Sequence, residues 1–372
     1  MSVKKKNVEL IELFYDLIFV YGISRLTTLI GEPVNGFISS TNIFMWIITS
    51  LVILQAWLYF TNYVNRYGEW KWYEYLLACI NMIAVIYMTN TISTDWQSMS
   101  LPFNISMLIM LLTVVTLYSI PALKEKSLKG AAGNSIINLS VVCTIYIIAI
   151  ISRFLNFTDI IIWINVIAVI TGAFLPFFIR GKFDKSIISF PHLTERFELL
   201  TIITFGEAIV GMTHFFDVNN FNIIPILVFA IIITMFGGYV IQIHNLVDHH
   251  REERSLRLMF SHYFIVISIN LITIVFELIY NGEVNHLLAS SLAIIALCIF
   301  YTSIMANSTY YRIGVNLEKK DIILMLSSIL LGSLTILVFL DSFYGFLIGI
   351  LIITLGNLSV LVNKDRLRKF EI

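Results

Sequence analysis

The sequence TDIIIWINVIAVITGAFLPFFI, at residues 158–179, is a long and almost uninterrupted apolar run. A helix needs about 20 mostly apolar residues to cross the hydrocarbon core of a bilayer. Backbone groups in lipid must be hydrogen-bonded within the protein, and a membrane barrel would show short alternating segments instead of long apolar runs. The run therefore predicts a transmembrane helix.

Runs of this kind occur along the whole chain. The others lie near residues 9–31, 41–63, 72–92, 101–121, 134–155, 195–215, 221–245, 257–280, 286–306, 320–340 and 342–362. Of the 372 residues, 58% are hydrophobic and 13% are charged, whereas soluble domains carry about 25% charged residues. We therefore predict an all-α polytopic membrane protein with about 12 transmembrane helices. This composition excludes a nucleic-acid binder and a disulfide-stapled secreted module.

The distribution of basic residues predicts the orientation of the chain. Lys and Arg in short loops mark the cytoplasmic side. Basic residues precede the first run and follow every even-numbered run, while the alternate loops carry acidic residues and, apart from Arg153, almost no base. We therefore expect both termini in the cytoplasm. The basic loop positions are Lys4, Lys5, Lys6, Arg66, Lys71, Lys124, Lys126, Lys129, Arg180, Lys182, Lys185, Arg251, Arg254, Arg257, Arg312, Lys319, Lys320, Lys364, Arg366, Arg368 and Lys369.

The two halves of the chain resemble each other. A Glu-x-x-Glu-Leu motif opens the first run at Glu9 and the seventh at Glu195, and Asn81 in the third run matches Asn270 in the ninth. Each pair is separated by about half of the chain length. Six spans in each unit would give both halves the same direction, as in the parallel repeats of known transporters. The predicted six-helix repeats are residues 1–190 and 191–372.

Carboxylates deep in two of the runs are the first candidate functional residues. An ionisable side chain in the hydrocarbon costs roughly 2.5–3.5 kcal/mol on insertion scales, so it marks a site or an internal ion pair. Glu9, Glu12 and Asp16 share one helical face, and Asp16 lies roughly 10 Å inward of Glu9. Glu207 is the deepest carboxylate, near the centre of the seventh run. We predict that Asp16 and Glu207 line a polar path between helices 1 and 7.

Other interpretations of these residues stay open. Asp16 or Glu207 could instead form a buried ion pair with Arg25 or Arg196 that only locks two helices together. Glu9 fits a cap at the helix N-terminus, where a carboxylate suits the helix dipole. The matched asparagines fit either a shared cavity or, more simply, hydrogen bonds between helices. The full set of candidates is Asp16, Glu207, Glu12, Glu198, Arg25, Arg196, Asn81 and Asn270.

Several further patterns predict structural roles. The tryptophans fit the aromatic belts at the membrane interfaces. The polar segment around Gln242, His244 and His249 fits a solvated loop, since no ligand spacing typical of structural zinc is present, and we predict no metal site. Gly345 and Gly349 indicate tight helix packing or a homodimer. The tryptophans are Trp46, Trp57, Trp70, Trp72, Trp96 and Trp163.

Two motifs resemble a known family. Residues 12–20, ELFYDLIFV, resemble the signature LELFFDLVFV that opens bacterial low temperature requirement A (LtrA) proteins. Residues 195–207, ERFELLTIITFGE, resemble the second signature of that family, ERFGLFTIIxLGE, with Glu198 in place of the commoner Gly. The resemblance covers most of the chain and implies a multi-pass protein of the bacterial cytoplasmic (inner) membrane, linked to growth at low temperature. It marks Asp16, Arg196 and Glu207 as charged signature positions without an assigned role.

A weaker resemblance supports an alternative. The Glu-Arg-Phe-Glu segment and the triplet Phe14-Tyr15-Asp16 are similar to the Arg-x-x-x-Phe-Ser-Asp motif of potassium channels built from six-helix repeats. In those channels the first helix of each repeat lines the pore. The resemblance implies a cation channel with helices 1 and 7 at the pore, although Tyr15 replaces the serine of the motif.

The function that these patterns favour is movement of an ion or small solute across the membrane, with proton coupling as an option. The alternatives are the cation channel and a membrane-embedded lipid-handling protein or enzyme in which paired carboxylates act as acid and base. No P-loop, dinucleotide-binding turn or hydrolase motif is present in the sequence, so we expect no enzymatic activity and no cofactor. The expected partners are the lipid bilayer, the solute or ion, and a second copy of the chain, with no nucleic acid.

Overall fold

The computed structural model describes residues 6–31, 33–124, 130–179, 187–216, 219, 222–251, 253, 255–282 and 284–370. Within these residues the regular structure is helical, and β pairing is limited to isolated bridges such as Val247 with Tyr311. The predicted all-α class is therefore confirmed. The loop residues Lys4, Lys5, Lys126, Lys129, Arg180, Lys182, Lys185 and Arg254 lie outside the described residues.

Twelve long helices are present in the described part of the chain. They are α1 (Leu10–Arg25), α2 (Ser40–Tyr67), α3 (Trp72–Asn90), α4 (Trp96–Lys124), α5 (Ala131–Phe154), α6 (Ile161–Phe178), α7 (Phe190–Gly211), α8 (Ile224–Val240), α9 (Leu256–Tyr280), α10 (His286–Ala306), α11 (Lys319–Val338) and α12 (Phe343–Phe370). A short helical turn, Thr27–Ile30, follows α1, and a π-helical turn, Ile241–Leu246, continues α8.

Eleven of these helices, as far as the described residues extend, are long and apolar enough to cross a membrane. The exception is α7. Its apolar character is interrupted by ionisable side chains, and such a helix is stable at membrane depth only if other protein groups pair with those side chains. The ionisable residues of α7 are His192, Glu195, Arg196, Glu198 and Glu207. The polytopic helical architecture agrees with the sequence prediction.

The chain divides into two compact units. The first unit contains the described residues of 1–30, 40–196 and 251–254, and the second contains those of 31–39, 197–250 and 255–372. The division falls inside α7, directly after Arg196. The predicted repeats and the cytoplasmic position of the termini stay predictions.

Each unit has its own order of helix packing. In the first unit, α1 packs on α2 and α3, and α2 packs on α4 and α6, while α3, α4 and α5 each contact the next helix in the chain. In the second unit, α8 packs on α12, α9 packs on α10, and α11 packs on both α10 and α12. The long apolar faces of the helices are buried in this way against one another.

The pair α11 and α12 packs with its backbones in close contact. A Cβ atom added to Gly349 would lie 2.7 Å from the carbonyl oxygen of Gly332 and 3.0 Å from the backbone nitrogen of Ile336. Real Cβ atoms do not approach backbone atoms so closely. Gly349 therefore occupies a tight helix contact, the role that the small-residue spacing with Gly345 indicates.

We expect Gly349→Ala to destabilise the protein by about 1–3 kcal/mol, because the added methyl group has to push two backbones apart. Gly206→Ala is a matched control, since a Cβ atom at Gly206 would meet nothing within 4 Å and alanine favours a helix over glycine by about 0.5–1 kcal/mol. Thermal unfolding in detergent measures both variants. Equal stability of the two variants would contradict the close packing of α11 on α12.

A buried charge cluster as the candidate functional site

A cluster of charged and polar side chains lies inside the first unit, where α1, α2 and the first turns of α7 meet. We refer to these side chains as the charge cluster. Its members are Glu12 and Asp16 from α1, Trp57 and Asn65 from α2, Trp70 after α2, and His192 and Arg196 from α7.

The helical period explains why these side chains meet. Glu12 and Asp16 are four residues apart and share one face of α1, and His192 and Arg196 are four residues apart and share one face of α7. The two faces are turned toward each other, and all four side chains are fully buried. The backbone N–H of Glu9, the N-cap residue of α1, lies 3.4 Å from Oε1 of Glu12. Glu9 therefore lies at the helix N-terminus, as the sequence indicates.

Arg196 holds both carboxylates of α1. Its Nε and Nη2 atoms donate to the two oxygens of Asp16, with 3.1 Å between Nε and Oδ2, and its Nη1 donates to Oε2 of Glu12 at 2.6 Å. The guanidinium carbon lies 5.5 Å from the centre of the Trp57 ring, within the range of a cation–π contact. Charge-assisted, two-pronged hydrogen bonds of this kind are among the strongest in proteins.

The remaining contacts of the two carboxylates are also with N–H groups. Nε1 of Trp57 donates to Oδ1 of Asp16 at 2.7 Å, and Nε1 of Trp70 donates to Oε1 of Glu12 at 3.1 Å. Nε2 of His192 lies 3.0 Å from Oε2 of Glu12. A protonated carboxyl group would need an acceptor, so these surroundings favour the ionised form of both acids.

The interpretation of the tryptophans as largely interface residues was wrong for Trp57. Its side chain is 0% exposed, and Trp46 is only 4% exposed. An indole at the interface shares its N–H group with water, whereas the N–H group of Trp57 is satisfied by Asp16. Sequence position alone did not reveal that acceptor.

His192 belongs to the charge cluster but was not among the residues that the sequence predicted for the site. A single histidine in an apolar helix does not by itself indicate a functional site. The spacing could have indicated one, because His192 and Arg196 are four residues apart, as are Glu12 and Asp16. Two charged pairs with the same helical spacing can face each other along two contacting helices.

Asn81 links three helices of the first unit. Its side-chain oxygen accepts from the Tyr15 hydroxyl at 2.9 Å, and its Nδ2 donates to Oγ1 of Thr113 at 2.7 Å and to the carbonyl oxygen of Met110 at 3.1 Å. These bonds join α1, α3 and α4. Of the two open interpretations of Asn81, hydrogen bonding between helices is the one that this geometry favours.

Arg25 lies away from the carboxylates of its own helix. It is the last residue of α1, it is half-buried, and within the described residues its Nε atom has no hydrogen-bond partner. Among the described residues, the guanidinium that pairs with Asp16 is that of Arg196.

Three candidates belong to the second unit. The Glu198 side chain is 16% exposed, and its Oε1 atom lies 3.7 Å from Nδ1 of His244. Glu207 is half-buried, and in the described part of the chain no hydrogen bond or ion pair involves its carboxylate. Asn270 is buried. The charge cluster therefore unites Glu12, Asp16 and Arg196, while the predicted path from Asp16 to Glu207 stays a prediction.

The segment around Gln242 differs in part from the expected solvated loop. Gln242 is 0% exposed. The π-helical turn that contains it continues α8, so its side chain is buried in the interior of the second unit. The expectation of solvation was therefore wrong for Gln242. His244 is exposed, whereas burial lowers the pKa of His249, whose Nε2 lies 3.0 Å from the carbonyl oxygen of Ile243. Among the described residues, no group of three or more His, Cys, Asp or Glu could hold a metal ion.

The eleven long apolar helices of the described residues define the class of this protein: it is a multi-pass helical membrane protein. Residues 7–358 match the family described as bacterial low temperature requirement A protein (LtrA). The chain belongs to the LtrA family, and the resemblance of the two signatures is confirmed. No curated protein matches the chain.

Proposed function

We propose that this protein moves an ion or small solute across the bacterial cytoplasmic (inner) membrane, and that a proton bound at the charge cluster is coupled to the movement. The observation that carries the proposal is the composition of the cluster. It buries two carboxylates, Glu12 and Asp16, against one guanidinium, that of Arg196. Ionisable groups at membrane depth are costly and typically mark substrate or proton pathways.

The number of charges in the cluster indicates why a proton is the coupled species. One guanidinium balances one carboxylate, and the second carboxylate is left beside His192. An uncompensated charge in a buried site costs several kcal/mol. Histidine is the side chain that gains a positive charge most readily near neutral pH. The excess negative charge therefore favours binding of one proton by the cluster. A site that couples transport to protons has to bind one.

The hydrogen bonds of the carboxylates argue against two alternatives. Asp16 accepts two bonds from Arg196 and one from Trp57, so little of its capacity remains for a passing cation. Glu12 is bound by Arg196, His192 and Trp70. Acid–base catalysis requires a carboxyl group within reach of a substrate proton. We therefore propose a carrier and not an enzyme or a channel with Asp16 at its pore.

The helix packing supports the proposed duplication. The pairs α2 with α6, α3 with α4, and α5 with α6 in the first unit correspond to α8 with α12, α9 with α10, and α11 with α12 in the second. We infer parallel repeats at residues 1–190 and 191–372, with both termini in the cytoplasm. In transporters with internal repeats, substrates bind near the interface between the repeats.

Reconstitution into proteoliposomes tests the proposal. An imposed pH gradient should drive uptake of at least one member of a panel of monovalent cations and small neutral or charged solutes. A pH-sensitive dye inside the vesicles should report simultaneous proton movement, and protein-free vesicles should show neither signal. Uptake that is independent of the pH gradient would contradict proton coupling. The absence of uptake across the whole panel would contradict transport.

A further inference from the structure

Asn65 connects the charge cluster to the start of α7. Its Nδ2 atom lies 2.8 Å from the carbonyl oxygen of Ser189 and 3.1 Å from Nδ1 of His192. Its Oδ1 atom accepts from the backbone N–H of Ser189 at 3.2 Å. All three side chains are buried, with Ser189 and His192 at 0% exposure.

The backbone of Ser189 determines the orientation of the Asn65 amide. Oδ1 has to face the N–H group and Nδ2 has to face the carbonyl oxygen, because the flipped amide would place donor against donor and acceptor against acceptor. Nδ2 of Asn65 therefore donates to Nδ1 of His192 as well, so Nδ1 carries a lone pair and no proton.

This orientation assigns the protonation state of His192. A neutral imidazole carries one proton, and with Nδ1 occupied by a lone pair that proton lies on Nε2. Nε2–H then donates to Oε2 of Glu12, at 3.0 Å. With His192 neutral, the charges of Glu12, Asp16 and Arg196 leave the cluster with one negative charge in excess.

We propose that Asn65 is a positioning residue that couples protonation of His192 to the attachment of α7 on α2. This inference rests on the proposed function, in which the charge cluster is the coupling site. A proton taken from cytoplasmic water adds to the lone pair on Nδ1, and the resulting N–H needs an acceptor. The Asn65 oxygen becomes that acceptor when the amide flips, and the flip breaks both hydrogen bonds to Ser189. Binding of one proton thereby loosens the start of α7.

The hydrogen bonds that the flip breaks are well placed to hold α7. The Ser189 carbonyl oxygen also accepts from the backbone N–H of Leu193, and its hydroxyl oxygen lies 3.4 Å from the backbone nitrogen of His192. Ser189 therefore lies at the N-terminal end of α7, directly before Phe190. The flip therefore removes both hydrogen bonds between Asn65 and the residue at the start of α7.

Other charged groups at this end of the first unit have partners of their own. Lys6 donates to the backbone carbonyls of Val64 and Gly68, and Glu74 accepts from the Tyr63 hydroxyl at 2.8 Å. The groups that directly face the His192 ring or its partner carboxylate are Glu12, Asp16 and Arg196. The exposed charges nearby along the chain are Glu9, Glu69, Lys71 and Glu195.

Nitrogen NMR of ¹⁵N-histidine-labelled protein in lipid nanodiscs tests the inference. The chain has seven histidines, and the His192 signals are those that disappear in His192→Gln. At alkaline pH, at which we expect the cluster to have released its proton, Nε2 should be protonated and Nδ1 non-protonated. In Asn65→Asp the new carboxylate can accept from Nδ1–H, so we expect both ring nitrogens to be protonated. His262 is the internal reference, because its Nδ1 lies 2.7 Å from the carbonyl oxygen of Leu258 and its spectrum should not change.

A second variant keeps the test decisive if Asn65→Asp does not fold. Asn65→Ala removes the donor to Nδ1, so we expect a mixture of the two neutral tautomers in place of one. A proton on Nδ1 of His192 in the wild-type protein at alkaline pH, or an unchanged His192 spectrum in a folded variant, would overturn the inference. The NMR readout does not require transport. Absence of flux together with the expected spectrum would refute the proposed function and not the assignment of His192.

Discussion

Arg196→Met should lower the free energy of unfolding by about 3–5 kcal/mol, since it leaves two buried carboxylates without their cation. Glu12 and Asp16 are both 0% exposed and lose three hydrogen bonds from the guanidinium. Methionine fills much of the same volume, so the loss reports on charge more than on packing. Thermal or denaturant unfolding in detergent micelles measures the change.

Two further variants separate the ion pairs from general effects of removing an arginine. Arg366 is exposed, so Arg366→Met should change stability by no more than about 0.5 kcal/mol. The triple variant Arg196→Met, Glu12→Gln and Asp16→Asn removes all three charges and should recover more than half of the lost stability. An Arg196→Met protein as stable as the wild type would show that the charge cluster does not hold α1 and α7 together.

Glu12→Gln should reduce proton-driven uptake by about tenfold or more, because coupling free energies between sites are typically about 1–3 kcal/mol. The substitution keeps the shape of the side chain and removes the negative charge that attracts the proton. The charges of Arg196 and Asp16 then balance each other. No excess negative charge remains to favour binding of a proton by His192. We expect the substitution to destabilise the protein less than Arg196→Met does. Uptake into proteoliposomes under a pH gradient is the measurement.

Glu9→Gln is the matched control for this substitution. Glu9 belongs to the same Glu-x-x-Glu motif, but its side chain is exposed at the N-terminus of α1. Uptake by Glu9→Gln should stay within about twofold of the wild type, since exposed charges contribute little energy. If Glu12→Gln and Glu9→Gln transport equally well, the excess charge of the cluster has no part in coupling.

The candidate site was only partly accessible from the sequence. The helical period placed Glu12 and Asp16 on one face, and the family signature marked Arg196, but these patterns left open whether Asp16 pairs with Arg25 or Arg196. The answer depends on a contact between Asp16 and Arg196, which are 180 positions apart in the chain. A pattern of neighbouring residues in the sequence does not predict a contact between residues so far apart. His192 and Asn65 were missed for the same reason.

Hydropathy and the alternation of charged loops determined that this chain is a helical membrane protein and where its helices lie. These are local and additive properties, because each segment is transferred into lipid or kept out of it according to its own side chains. The partners of the buried acids were decided by the tertiary structure alone. An ion pair in a low-dielectric interior depends on distances of a few ångströms between side chains on different helices, and only the packing of α1 on α2 and of both helices on the start of α7 sets those distances.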